Sequence, residues 1–172
     1  RYVFLVTAVG EGYGGLEHMN SCALQIDRFT FRPRGRYEKW LGLVSHEFFH
    51  LWNVKRIRPA VFGTFDYTRE NYTRLLWAME GLTSYYDNLF LRWSGLVEAE
   101  GYLGLLGKEI TRVQRTPGRL QQSVEEASLD AWIRLYQPHE HTPNSTISYH
   151  PSGFGLSPDF GAFGCGSAAL GR

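Results

Sequence analysis

The sequence LVSHEFFHLWN, residues 43–53, places two histidines four positions apart and a glutamate directly after the first of them. It lies within residues 36–53, whose apolar side chains recur with the period of an amphipathic helix. The apolar stripe of this predicted helix consists of Leu41, Val44, Phe48, Leu51 and Trp52. Because residues four apart share one face of a helix, His46 and His50 are expected to point in the same direction.

His46 and His50 can therefore offer imidazole nitrogens to one metal ion. Glu47 would lie close enough to take a proton from a water molecule on that ion without binding the ion itself. The alternative is that the two histidines are ordinary members of an amphipathic helix. A catalytic zinc ion has three protein ligands and one open position, so the metal hypothesis requires a third ligand from another part of the chain.

The third ligand is expected from a second helix, which the apolar pattern places at residues 69–93 with Gly81 as its weak point. Glu80 lies inside this apolar run, where a carboxylate is costly to bury unless it is paired or bound to metal. The rival is Glu70, near the predicted start of the helix, where the helix dipole alone favours an acidic residue. We prefer Glu80 as the ligand.

Asp87 follows Glu80 by two turns and is predicted to lie on the same face of the helix. Its carboxylate could accept a hydrogen bond from the far nitrogen of a ligand histidine and fix the tautomer of that ring. An acidic residue on the solvent side of the helix is an equally good interpretation of this position.

The rest of the pattern predicts a small sheet before these helices and further helices after them. In chain order the expected elements are a buried strand at 2–9, a glycine-rich turn at 11–15, an edge strand at 16–26, and helices at 97–114, ended by Thr116-Pro117-Gly118, and at 123–135.

Residues 1–150 are expected to form one domain and residues 151–172 a separate tail. The tail carries six glycines and two prolines without a sustained period, which is typical of a loop or a disordered segment. The chain also starts inside the strand-like run without an initiating methionine, so we expect a fragment. Its compartment, cytoplasmic or periplasmic, is not indicated by the sequence.

The composition is typical of a globular protein, with a formal net charge of +1 over 172 residues. This charge provides no electrostatic footprint for nucleic acid, and no apolar run is long enough to span a membrane. The two cysteines are far apart in sequence, so neither a disulfide framework nor a cysteine-based metal site is indicated.

Several ordered motifs together resemble the glycyl aminopeptidase family of metallopeptidases, from residue 1 to Tyr149. The resemblance implies an α+β, thermolysin-like catalytic domain, with a small N-terminal sheet portion followed by a helical subdomain and zinc in the cleft between them. This domain is also similar to that of the aminopeptidase N group. Whole relatives add a β-rich N-terminal region and a PDZ-like module. The motifs are HEFFHLWNVKRIRP (46–59), LLWAMEGLTSYYD (75–87), TPGRLQQSVEEASLDAWIRLY (116–136) and NSTISY (144–149).

The resemblance implies hydrolysis of a peptide bond with one Zn²⁺ per chain. The implied zinc ligands are His46, His50 and Glu80, and Glu47 would be the general base that takes a proton from the attacking water and later passes it to the leaving amine. Two histidines and a carboxylate suit zinc best, although cobalt or manganese could occupy the same ligands. A preference for N-terminal glycine is implied by the family alone.

The stretch GGLEH, residues 14–18, matches the exopeptidase motif of aminopeptidases. Glu17 would then bind the free α-amino group of a peptide substrate, because a carboxylate at that place pairs with an ammonium and disfavours internal peptide bonds. The backbones of Gly14 and Gly15 would run alongside the substrate as an edge strand does. Without the resemblance, this stretch is only a turn followed by a strand.

The sequence departs from the family near its end. Relatives carry a catalytic tyrosine in a segment like SYYxKG, where this chain has SYHPSG at residues 148–153. His150 matches the catalytic tyrosine, Ser152 takes the place of the lysine, and Tyr149 remains one position earlier. His150 and Tyr149 are thus the candidates for the hydrogen-bond donor to the oxyanion.

Three functions stay open at this point. The first is a zinc aminopeptidase, and the second is a catalytically impaired fragment or pseudoenzyme that binds zinc without turnover. The third is a zinc endopeptidase, against which Glu17 argues. The basic run Lys55–Arg58 is expected to serve the C-terminal end of the helix, with a substrate carboxylate as the alternative partner.

Overall fold

The computed structural model describes residues 1–63, 66 and 68–150. A small sheet opens the chain, with the strand order β1-β3-β2. Strand β3 is central because it pairs in parallel with β1 and antiparallel with β2. The strands are β1 (Val3–Val9), β2 (Tyr13–Glu17) and β3 (Ser21–Asp27).

The predictions for residues 11–26 were partly wrong. Only the first part of the expected turn exists, since Tyr13 to Gly15 belong to β2. The single edge strand expected at 16–26 is divided by a tight turn, in which the His18 N–H donates to the Ser21 carbonyl over 2.8 Å. Cross-strand pairing with β3 therefore overrides the low strand propensity of the two glycines.

The strand predicted at 2–9 is confirmed as β1, which starts at Val3, but its expected burial is wrong. Leu5 is 58% exposed and Val6 is 47% exposed. In the described part of the chain, the first helix packs on β2 and β3. Strand β1 forms hydrogen bonds with β3, but no layer covers most of its side chains. Its aromatic contacts at this end are those of Tyr2 and Phe4 with Phe48.

Helix α1 (Arg34–Phe49) confirms the predicted helix around His46, but it ends at Phe49 and not at residue 53, so His50 forms its C-terminal cap. Its buried face is not the predicted apolar stripe, of which Trp52 is 43% exposed. The buried residues are Gly42, Leu43, His46 and Glu47, followed by His50 at the helix end. The helix therefore turns its ionisable residues inward, and those residues need partners there.

The second helix starts later than the predicted residue 69. Residues 70–75 are irregular, and the helix opens with a π-helical turn (Trp77–Gly81) that continues into α2 (Leu82–Trp93). A distant residue helps to fix this start, because the Trp77 N–H donates to the Ser128 hydroxyl over 3.1 Å. The wide turn ends at Gly81, the weak point of the sequence pattern.

The remaining helices follow the predicted positions. Helix α3 (Ala99–Arg115) ends at Arg115, and Thr116 then leads into a 3₁₀ turn (Pro117–Leu120). The predicted helix at 123–135 is divided into α4 (Val124–Leu129) and a second π-helical turn (Ala131–Leu135). A short 3₁₀ turn (Ala60–Phe62) and helix α5 (Thr142–Ser145) complete the described elements.

Among the described residues, two apolar clusters form the core. The sheet cluster lies between the sheet and α1, and the helical cluster lies around the first π-helical turn. The tail predicted at 151–172 lies outside the described residues. Within the described residues, no helix has the length and apolar character that crossing a bilayer requires. The sheet cluster comprises Cys22, Leu24, Ile26 and Leu43, and the helical cluster comprises Val54, Phe62, Leu76, Met79, Ala131, Leu135 and Tyr149.

Candidate metal centre

Two imidazoles and one carboxylate meet where the end of α1 crosses the first π-helical turn. Oε2 of Glu80 lies 3.2 Å from Nε2 of His46 and 3.3 Å from Nε2 of His50. Nitrogen and oxygen ligands of one tetrahedral zinc ion are about 3.3 Å apart, given metal–ligand bonds of about 2.0–2.1 Å. All three side chains are buried, and their ligand atoms have the spacing that one ion requires.

The outer nitrogen of each imidazole is held by a hydrogen bond. His46 Nδ1 donates to Oδ2 of Asp87 over 3.2 Å, and His50 Nδ1 donates to the carbonyl of Asn53 over 2.9 Å. In a neutral imidazole, a proton on Nδ1 leaves the lone pair on Nε2, which in both rings is the nitrogen that faces Glu80. Without a metal ion, a second proton on Nε2 of His46 would instead donate to Oε2 of Glu80 over 3.2 Å. Asp87 is therefore buried against His46 and does not lie on the solvent side of the helix.

Asn53 is a residue that the sequence analysis did not select. Its side-chain Nδ2 donates to the carbonyl of Met79 over 2.8 Å and lies 3.1 Å from the hydroxyl of Thr83. Asn53 thus connects the end of α1 to the turn that carries Glu80, while its own carbonyl orients His50. Its partners are more than twenty residues away, so local spacing gave no signal for this role.

The residues present fit a metal ion. Among the described residues, the buried atoms His50 Nε2 and Glu47 Oε2 have no hydrogen-bond partner. Nε2 of His50 is within ion-pair distance of Glu80 but makes no hydrogen bond, so this buried nitrogen lacks a partner. A buried polar atom without a partner is costly, and a cation between these ligands removes that cost.

Glu47 lies beside the ligands, against strand β2. Its carboxyl is buried, which raises its pKa to about 7 although the imidazoles of His46 and His50 act in the opposite direction. A Cβ atom built on Gly15 would lie 2.2 Å from Oε1 of Glu47. The carboxyl therefore occupies space that only a glycine at position 15 leaves open.

Glu17 reaches the same region from the end of β2. Its carboxylate, the carboxyl of Glu47 and a ring nitrogen of His50 have atoms within 4.8 Å of one another. Nζ of Lys55 lies 3.2 Å from Oε1 of Glu17, so the basic residue expected to serve the end of the helix meets a buried carboxylate instead. Gly14 is buried on the same strand, which is an edge strand of the described sheet.

The two candidates for the oxyanion donor, Tyr149 and His150, lie in different surroundings. Tyr149 is buried in the helical cluster and its hydroxyl pairs with the hydroxyl of Tyr136. Nδ1 of His150 lies 3.7 Å from Oε2 of Glu80, and its ring centroid is 6.1 Å from that of His46. Burial lowers the pKa of His150 to about 4, so its ring is neutral at pH 7 with one N–H donor.

The structure thus brings most of the predicted residues to one place. Glu70, the rival ligand, is exposed and lies outside the second helix, away from this group. His18, which follows Glu17, is also exposed. The predicted residues gathered at the site are Gly15, Glu17, His46, Glu47, His50, Glu80, Asp87 and His150.

Comparisons with known proteins give the family and one similar solved structure. A family model described as M61 glycyl aminopeptidase matches residues 39–155. A crystal structure of an aminopeptidase N family protein from Idiomarina loihiensis is similar, with 43% sequence identity and a TM-score of 0.81. The match covers 87% of this chain and 27% of that one, so the chain spans about a quarter of that relative. No curated protein matches the chain.

Proposed function

Because the chain belongs to the M61 glycyl aminopeptidase family, we propose that it is the catalytic part of a zinc aminopeptidase that hydrolyses N-terminal residues, glycine in particular, from peptides. The observation that carries this proposal is the convergence of His46, His50 and Glu80 next to Glu47. A thermolysin-like fold, with a sheet and helices on two sides of the zinc cleft, belongs to the same proposal.

The proposed metal ligands are His46, His50 and Glu80, and Asp87 would keep His46 in the ligating tautomer. A bound zinc ion would polarise the scissile carbonyl and make a water molecule more acidic. Glu47 would take the proton from the attacking water and later transfer it to the leaving amine. Its position against Gly15 and outside the group of His46, His50 and Glu80 supports the role of a base, although Glu47 also shares a second potential ligand group with Glu17 and His50.

Glu17 would bind the ammonium of a substrate with a free N-terminus. Its carboxylate is buried and accepts no hydrogen bond within the described part of the chain, so it retains acceptors for an incoming N–H. Gly14 and Gly15, on the edge strand β2, would offer backbone groups to the extended substrate. A peptide that continues past this point would meet a carboxylate instead of a partner, which disfavours internal cleavage.

The oxyanion donor would be His150 and not Tyr149. The hydroxyl of Tyr149 pairs inside the helical cluster, whereas the ring of His150 faces the ligands. The same observation favours a second function, a zinc-binding chain with impaired turnover, because an imidazole replaces the tyrosine of the relatives. Turnover of an N-terminal glycine substrate distinguishes the two functions.

The test of the proposed mechanism is Glu47→Gln. This change keeps the shape of the side chain but removes the base, so hydrolysis of glycine p-nitroanilide should fall about 10²- to 10⁴-fold while zinc content is unchanged. The matched control is Glu38→Gln, which alters an ion pair with Arg34 at the other end of α1. Undiminished hydrolysis in the Glu47 variant would remove this residue as the base. Equal cleavage of an N-acetylated peptide would favour an endopeptidase.

A further inference from the structure

Lys55 contacts Glu17, the proposed partner of the substrate amine, and no role in the reaction described above uses it. Its Nζ lies 3.2 Å from Oε1 of Glu17. The Lys55 side chain is 17% exposed and the Glu17 side chain is completely buried. An ammonium that is mostly withdrawn from water and placed on a buried carboxylate is a strong electrostatic contact.

The backbone conformation just before Lys55 directs the Lys55 side chain toward Glu17. Val54 has a φ of 145°, a conformation that β-branched residues rarely adopt, and its side chain is buried in the helical cluster. The N–H of Lys55 donates to the carbonyl of His50 over 3.0 Å. The chain therefore reverses directly after the second histidine and directs Lys55 back toward β2.

The contact leaves Glu17 able to accept hydrogen bonds. Among the described residues, neither oxygen of Glu17 has a hydrogen-bond partner, because the Lys55 contact is an ion pair without hydrogen-bond alignment. Lys55 places a positive charge 3.2 Å from Oε1, and Oε2 has no partner among the described residues. A buried carboxylate with an unused oxygen is suited to one further ammonium.

The ion pair with Lys55 also affects the position of the Glu17 carboxylate relative to the neighbouring site residues. The Glu17 and Glu47 carboxyls have oxygens within 4.8 Å of each other and of a His50 ring nitrogen. Without the Lys55 ammonium, the Glu17 carboxylate would be attracted to an ion held by the histidines with no competing cation beside it. The ion pair with Lys55 opposes that movement.

Building on the proposed aminopeptidase function, we propose that Lys55 is a specificity-determining residue of the amine subsite. It holds Oε1 of Glu17 and leaves Oε2 for the ammonium of a peptide substrate, so recognition of a free N-terminus depends on Lys55 as well as on Glu17. Arginine would not replace it, because a planar guanidinium can engage both carboxylate oxygens at once.

The test uses the zinc-loaded chain and two probes, glycine hydroxamate and N-acetylglycine hydroxamate. Both probes carry the same metal-binding group, and only the first carries an ammonium. Isothermal titration calorimetry should show that the original chain prefers the free amine. Lys55→Met should reduce this preference about tenfold, chiefly through weaker binding of glycine hydroxamate. Lys55→Arg should also reduce it, although the charge is kept.

Arg56→Met is the matched control, because Arg56 is exposed and donates to the backbone of Leu51 instead of a site carboxylate. The control should keep the full preference, and zinc content reports whether each variant retains the site. An unchanged preference in Lys55→Met overturns the role of Lys55 alone. Equal binding of the two probes by the original chain removes Glu17 as the amine partner, and failure of both probes to bind removes the metal site. Either result overturns this inference as well.

Discussion

Gly15 is the residue on which the position of Glu47 most directly depends. A Cβ atom at this place would lie 2.3 Å from Cγ and 2.2 Å from Oε1 of Glu47, well inside contact distance. The Glu47 side chain would have to move, and a shift of about 1 Å in a catalytic group can cost about a hundredfold in rate. We therefore expect Gly15→Ala to lower kcat about a hundredfold with zinc content unchanged, as measured on glycine p-nitroanilide.

The control for this prediction is Gly10→Ala. No atom lies within 4 Å of a Cβ built at Gly10, so that variant should keep its activity. Full activity of Gly15→Ala would show that Glu47 does not need its present position against β2.

At the residue scale, local spacing predicted contacts between residues of the same helix or strand. It did not predict contacts between residues of different elements. The four-residue interval between His46 and His50 was sufficient to predict convergent imidazoles. The pair Lys55–Glu17 and the link from Asn53 to Met79 join residues far apart in the chain, and no helical or strand period relates them. Burial cost still selected Glu80 correctly over Glu70 as the acidic residue near the histidines, because only Glu80 lies in an apolar run.

At the scale of elements, sheet and helix were predictable but several boundaries were not. The apolar pattern placed the second helix at residue 69, whereas the π-helical turn starts at Trp77. That start has a partner from α4, the hydroxyl of Ser128, which also donates to the carbonyl of Val124 within its own helix. Tertiary contacts of this kind override local propensity and cannot be identified by a local window.

The junction between α1 and the π-helical turn gives the prediction at this scale. Asn53→Ala removes the side-chain hydrogen bonds to Met79 and Thr83. Because these bonds bridge the elements that carry the ligands, we expect a loss of about 1–3 kcal/mol in the free energy of unfolding. Zinc affinity should also fall about tenfold, since outer hydrogen bonds orient metal ligands. Urea unfolding and competition with a chelator measure the two effects.

Asn144→Ala is the comparison for this change. Asn144 is exposed in α5, so its replacement should alter the free energy of unfolding by less than about 0.5 kcal/mol. If Asn53→Ala were equally mild in both measurements, Asn53 would not connect the two elements energetically.

At the scale of the whole molecule, the candidate site lies where the region of the sheet cluster meets that of the helical cluster. Helix α1 packs on β2, β3 and α2, and the three convergent side chains come from α1 and the turn before α2. The order of sheet and helices was predictable from the sequence. The exposure of β1 was not, because an apolar run of residues does not indicate whether another layer covers it.

A metal ion bound by His46, His50 and Glu80 would therefore join separate parts of the fold. Binding to the folded state alone stabilises a protein by about 4 kcal/mol when the free ligand is a thousandfold above its Kd. We expect Tm to rise by several degrees with added zinc and to fall again with a chelator, as followed by calorimetry. Magnesium at the same concentration should have little effect, because it prefers oxygen ligands. An equal rise with both ions would indicate a non-specific effect.

The most direct test of the metal centre is the metal content of the purified chain, measured by elemental mass spectrometry after dialysis against zinc. We expect one zinc ion per chain, lost in His46→Ala and retained in His141→Ala, in which an exposed histidine far along the chain is replaced. A chain without zinc, or one that keeps its zinc when His46 is replaced, would contradict the assignment of His46, His50 and Glu80 as metal ligands.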